Sequence, residues 1–160
     1  MGRSEAGKTT LTQALRGEEI HYYKTQDVHY YESVIDTPGE YAQSHRLGKA
    51  LALYTYEADV VGILVAANEP YSLFPPGVAA QANRECIGIV TKIDLPNANV
   101  PLADRWLEIA GVTKIFHVNS LVGEGVPAIL DYLKEEPGRA DISDMEKESE
   151  QNGKAESKTE

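Results

Sequence analysis

One cysteine, Cys86, stands in 160 residues, so no disulfide can form within the chain and a reducing cytosol fits. It lies in the apolar run Cys86-Ile87-Gly88-Ile89-Val90, where a buried structural thiol is expected rather than a nucleophile. Positive charge is scarce. Fifteen Lys and Arg against 25 Asp and Glu leave a formal charge of −10. A nucleic-acid backbone is held by basic patches, so the balance argues against nucleic acid as a main partner, while a local nucleotide site stays open. No apolar run is long enough for a membrane span, and no stretch reads as a signal peptide. His21, His29, His45 and His117 show no metal-ligand spacing. Large apolar side chains are nearly absent after Pro137, where seven acids and four bases supply −3 of the charge. Residues 137–160 are expected to form a disordered or weakly helical tail, and residues 1–136 a single domain large enough to bury a core.

What is present is concentrated at the start. Gly2-Arg3-Ser4-Glu5-Ala6-Gly7-Lys8-Thr9 fits the phosphate-loop pattern G-x-x-x-x-G-K-[ST], with Thr10 opening the helix behind it. Gly2 and Gly7 allow backbone angles that a side chain would forbid, so successive N–H groups can turn inward around phosphates at a helix N-terminus. Lys8 supplies a point charge for the β- and γ-phosphates, and the Thr9 hydroxyl suits Mg²⁺. The bland alternative is a glycine-containing turn before a helix.

The rest of the chain alternates. Thr10–Arg16 reads as helix, Asp27–Tyr31 and Val34–Asp36 as short strands around a turn near Glu32-Ser33, and Ser44–Tyr56 as helix. Asp59–Ala66 is a continuous apolar run, as a strand covered on both faces requires. Phe74-Pro75-Pro76-Gly77 opens a helix expected to reach about Asn83. Cys86–Thr91 is a buried strand. A helix from Pro101 carries Leu102, Trp106, Ile109 and Ala110 on one face and ends at Gly111. Lys114–Val118 is a strand, and Val126, Ile129, Leu130 and Leu133 stripe a last helix ending at Pro137-Gly138. This order implies a mostly parallel α/β sheet with helices on both faces, whose ligands sit at the carboxyl ends of the strands.

Three further motifs fall at such ends. Asp36-Thr37-Pro38-Gly39 fits D-x-x-G: Asp36 can hold Mg²⁺ through a water, and the Gly39 N–H can meet a γ-phosphate. Thr91-Lys92-Ile93-Asp94 fits [NT]-K-x-D, where Asp94 can accept from guanine N1 and N2 and the Lys92 stem can cover the base. Adenine offers no donors there; the alternative is a capping Asp before Pro96. Asn119-Ser120-Leu121 stands where a guanine-binding protein carries a Ser-Ala-Lys-like turn, with Ser120 and Leu121 serving the base through backbone N–H groups. Thr25 is the choice for a mobile Mg²⁺-sensing threonine. Glu40 stands where a water-positioning residue belongs; its alternative is a side chain pointing to solvent.

Together with Lys24-Thr25-Gln26, Ile35-Asp36-Thr37-Pro38-Gly39-Glu40-Tyr41 and Phe74-Pro75-Pro76-Gly77, these motifs resemble the EutP/PduV family over roughly residues 2–136. The resemblance implies a Ras-like phosphate-loop NTPase fold and a role in ethanolamine or propanediol catabolism beside a bacterial microcompartment. It also implies nucleotide binding, and brings an acetate kinase activity that has been attached to the family. Three functions compete: a Mg²⁺-dependent GTPase-type switch, an ATP-dependent phosphotransferase acting on acetate, and a non-hydrolysing microcompartment scaffold. Asp94 favours GTP over ATP. In a Ras-like fold the phosphate loop follows a central strand between the Val34 and Val60 strands, and here only Met1 precedes Gly2. The expectation is that this first strand is absent and the chain truncated, with Met1 an internal residue.

Overall fold

The computed structural model describes residues 1–17, 29–30, 34–37 and 57–135. The chain divides into two units, Met1–Leu130 and Asp131–Glu160.

The first unit is organised by a parallel sheet of β3 (Val60–Ala66), β4 (Glu85–Thr91) and β5 (Lys114–His117), in that order. The register pairs Val61 with Cys86, Val65 with Val90, and Ile89 with Phe116. Side chains alternate across the sheet. Val61, Ile63, Val65 and Val90 share one face with Ala103 and Leu107 of α2 (Val100–Ile109). Leu64, Ile87, Ile89 and Phe116 alternate to the opposite face and are buried as well. Both faces are therefore covered, which explains why β3 and β4 read as unbroken apolar runs. Gly88 permits a close approach of α2 to the sheet: a Cβ there would lie 2.9 Å from Leu107 Cδ1.

The free edge of β3 receives the start of the chain. Gly2 forms a parallel bridge with Leu64, and Leu64 N–H donates to the Met1 carbonyl at 2.7 Å. Among the described residues, Met1 and Gly2 alone occupy the position expected for the first strand. β1 (His29–Tyr30) and β2 (Ile35–Asp36) form a separate antiparallel pair. α1 (Lys8–Leu15) packs beside β2, and α3 (Val126–Glu135) brings Val126 and Ile129 into the core.

Two expectations need correction. The helix expected from Phe74 to Asn83 is only a 3-10 turn, Val78–Gln81. Gly77 enters it in the left-handed region at φ 70° and Ala82 leaves it extended, so the segment is too short for an α-helix. The buried stripe of α2 is Ala103, Leu107 and Ala110, whereas Leu102 and Ile109 are 39% and 43% exposed. The alanines permit close approach to the sheet, and Leu102 and Ile109, one above the other at i and i+7, share one flank of that stripe. The expected helix over 44–56, the turn at Glu32-Ser33 and the tail after residue 136 lie outside the described residues.

Candidate functional site

The phosphate-loop segment runs from the sheet edge into α1. Gly2 is required by contact rather than by angle: a Cβ would stand 2.7 Å from the Leu64 carbonyl oxygen. Gly7 caps α1 at φ 89°, and Glu5 also takes a left-handed conformation at φ 66°. Glu5 is exposed, Ser4 and Thr10 half-buried, and Ala6 buried. Among the described residues, no side chain caps the N-terminus of α1. Helix N-termini carry unpaired amide donors and a positive dipole end, which together favour an anion.

Lys8 folds back over this loop. Its Nζ donates to the Gly2 carbonyl at 3.0 Å and the Arg3 carbonyl at 2.7 Å. Burial pushes the Lys8 ammonium below the usual lysine range, while the charges of Asp36 and Glu69 pull it back up. The next residue reaches another element: Thr9 Oγ1 donates to Asp36 Oδ2 at 2.9 Å. Asp36 and Thr37 are both buried at the end of β2. The structure thus brings Lys8, Thr9 and Asp36 together. Thr25, Gly39 and Glu40 lie outside the described residues.

The motif ending β4 meets the loop from the other side. Thr91 Oγ1 donates to the Ala6 carbonyl at 2.6 Å in the interior. A Cβ on Gly7 would lie 3.6 Å from the same oxygen. Lys92 leaves the strand in the left-handed region, φ 56°, and Asp94 follows on the surface. At the end of β5, Asn119 Oδ1 accepts from Leu121 N–H at 3.2 Å and Asn119 N–H donates to the Glu124 carbonyl. Ser120 Oγ is buried without a hydrogen-bond partner among the described residues. Leu121 and Val122 expose most of their apolar surface. Parallel pairing sets the ends of β4 and β5 side by side, with Val118 N–H on the Val90 carbonyl at 2.8 Å.

Sequence reasoning missed the group behind the loop. The Arg3 guanidinium lies over the Tyr71 ring, 4.8 Å from its centroid. Glu69 Oε1 accepts from Ala66 N–H at 2.9 Å. Burial raises the Glu69 carboxyl, opposed by that hydrogen bond and by the charges of Arg3, Lys92 and Lys8. The available signal was an acid placed just after a buried strand.

The family described as ethanolamine utilisation and propanediol utilisation, PduV-EutP, matches residues 1–135. The propanediol utilization protein PduV of Citrobacter freundii is 41% identical over 134 residues, 83% of this chain and 89% of that protein. A probable acetate kinase EutP of Salmonella typhimurium is 35% identical over 152 residues, 93% of this chain and 92% of that protein. Among solved structures, a GDP-bound Roco2 RocCORdC protein of Methanosarcina barkeri aligns with a TM-score of 0.52 at 15% identity. That alignment covers 84% of this chain and 46% of the longer one. The likeness shows the fold alone, α/β and Ras-like.

Proposed function

The chain belongs to the ethanolamine and propanediol utilisation family, PduV-EutP, and from that premise we propose that it is a Mg²⁺-dependent nucleotide switch that binds and slowly hydrolyses GTP. The observation that carries this reading is the hydrogen bond from Thr91 Oγ1 to the Ala6 carbonyl. It docks the base motif on the phosphate loop, so one ligand with a base at one end and phosphates at the other can span both.

Roles follow from chemistry. The loop amides from Arg3 to Thr10 receive the phosphates, and Lys8 trades its loop carbonyls for β- and γ-phosphate oxygens. Thr9 and Asp36 are hard oxygen donors a hydrogen bond apart, a donor set suited to Mg²⁺. Bound there, the ion would neutralise charge on the phosphates. Asp94 reads guanine N1 and N2, Lys92 covers one face of the base, and the Ser120–Leu121 segment approaches its other edge. Thr25, Gly39 and Glu40 complete the assignment as metal, γ-phosphate and water-positioning groups. The work serves ethanolamine or propanediol breakdown in the cytoplasm, with a microcompartment shell or enzyme as protein partner.

A second reading is an ATP-dependent phosphotransferase acting on acetate, favoured by the relative named a probable acetate kinase. One competition experiment separates them. Displacement of a fluorescent GDP by GTP but not by excess ATP supports the switch. Preferential displacement by ATP, with acetyl phosphate formed from ATP and acetate, supports the kinase. Displacement by neither leaves a scaffold that does not use nucleotide.

A further inference from the structure

Arg3 belongs to the phosphate loop, yet its side chain leaves it. The guanidinium sits 4.8 Å from the Tyr71 ring centroid, within cation–π reach. Its Nη1 is buried with no hydrogen-bond partner among the described residues. Water would satisfy every donor of a guanidinium, so the inward position is one that its surroundings must enforce. The Glu69 carboxylate, fixed by the Ala66 N–H, is part of those surroundings and feels the Arg3 charge. The backbone of the same arginine has a second task. Its carbonyl accepts from Lys8 Nζ at 2.7 Å and from Ala6 N–H at 3.1 Å.

We propose that Arg3 is a positioning residue for Lys8: its guanidinium, seated on Tyr71 in the field of Glu69, ties the phosphate loop to the segment after β3, and its carbonyl thereby holds the ammonium ready for the phosphates. The inference rests on the nucleotide reading above. Arg3 acts through Lys8, and Tyr71 acts through Arg3. Tyr71 is 53% exposed and outside the loop, so its replacement leaves the core intact.

The test uses the full chain with Arg3→Ala, Arg3→Lys, Tyr71→Phe and Tyr71→Ala. Fluorescent GDP and a non-hydrolysable GTP analogue are titrated in Mg²⁺. Arg3→Ala and Tyr71→Ala are each expected to weaken the GTP analogue about tenfold, the scale of a partly desolvated cation–π contact. GDP is expected to lose less, because Lys8 serves both β- and γ-phosphates. Tyr71→Phe keeps the ring and the affinity; Arg3→Lys recovers part of the loss. The double variant Arg3→Ala with Tyr71→Ala is no weaker than Arg3→Ala alone, as one shared contact requires.

A second readout needs no nucleotide: the rate at which Lys8 is acylated by a mild amine reagent, followed by peptide mass spectrometry. Release from its carbonyls is expected to speed acylation in Arg3→Ala and in Tyr71→Ala. Unchanged Lys8 reactivity in either variant overturns the inference whatever the affinities do. Equal losses for GTP and GDP overturn the route through Lys8. A parent chain that binds no nucleotide, with Lys8 reactivity still raised in both variants, sinks the nucleotide reading and leaves the positioning role standing.

Discussion

Thr9 Oγ1 donates a 2.9 Å hydrogen bond to Asp36 Oδ2, joining the first turn of α1 to the end of β2. The contact places a hydroxyl and a carboxylate where one hard cation can take the place of the shared proton. Thr9→Ala is therefore expected to lower the apparent Mg²⁺ affinity of the nucleotide complex by at least about tenfold. Nucleotide binding in EDTA is expected to change less. Titration of Mg²⁺ against bound fluorescent GDP measures both, and an unaltered Mg²⁺ midpoint removes Thr9 from the metal site.

Thr91→Val tests the link between base motif and loop. The substitution keeps the shape and deletes the donor, leaving the buried Ala6 carbonyl unpaired at a cost of about 1–3 kcal/mol. Denaturant unfolding without nucleotide is expected to show that loss, and Thr91→Ser to recover most of it. If nucleotide affinity stays at the parent level while stability falls, the link is structural only.

The phosphate-loop pattern was legible because most of its constraints are local: the Gly7 angle and the helix that follows lie within a few residues, whereas the physical reason for Gly2, its approach to the Leu64 carbonyl, lies far along the chain. The sheet was legible because β3 and β4 are buried on both faces and read as continuous apolar runs. Arg3 on Tyr71 was not, since two residues far apart in sequence carry no periodic signal. Nor was the partner of Thr91, which depends on how β4 meets the loop. The stripe of α2 misled because alanine contributes little to an apolar pattern yet allows the closest packing, so Ala103 lies inside beside the expected Ala110 while Leu102 and Ile109 are exposed. Pro75-Pro76-Gly77 carries a helix-start composition, but the chain extends again at Ala82 before an α-helix can form.

Lys8 gives the site a pH signature. Its folded-state pKa is held below 10.5, chiefly by burial. The unfolded chain therefore keeps that proton to higher pH than the folded chain. As pH rises through the lowered value toward 10.5, the Lys8 contribution to stability of the empty protein increases. Affinity for polyphosphate runs the other way, because the ammonium is lost over the same interval. Lys8→Met is expected to flatten both trends in parallel measurements of unfolding midpoint and GTP affinity against pH. Parent and variant profiles of the same shape would assign the alkaline dependence to another group.

Hydrolysis is expected to be slow, on the order of 10⁻⁴ to 10⁻² per second, as in a switch without an activating partner. Glu40 is the proposed water-positioning group. Its carboxylate can accept a proton from water, but it also adds negative charge beside the γ-phosphate. Glu40→Ala is expected to slow single-turnover release of phosphate from GTP without weakening GTP binding. An equal rate in the variant removes Glu40 from the reaction.

Asp94 is the proposed base-reading position. It lies on the surface just beyond Lys92, whose left-handed turn carries the chain out of β4 and away from the loop-bound Thr91. Guanine presents two donors, N1–H and the N2 amino group, to a carboxylate there, whereas adenine has no donor at either of those two positions. Each hydrogen bond to a charged group contributes about 1.5–3 kcal/mol, so losing both is expected to weaken GTP more than about a hundredfold. Asp94→Asn makes that loss conditional on the base. The amide can donate where the carboxylate could only accept, and xanthine carries an oxygen where guanine carries the amino group. Xanthosine triphosphate is therefore expected to bind the variant better than the parent, with GTP in the reverse order. ATP is indifferent to the exchange under this assignment. Unaltered GTP affinity in Asp94→Asn, with ATP competing as well as GTP in both proteins, would move the base away from Asp94 and leave the phosphotransferase as the reading to pursue.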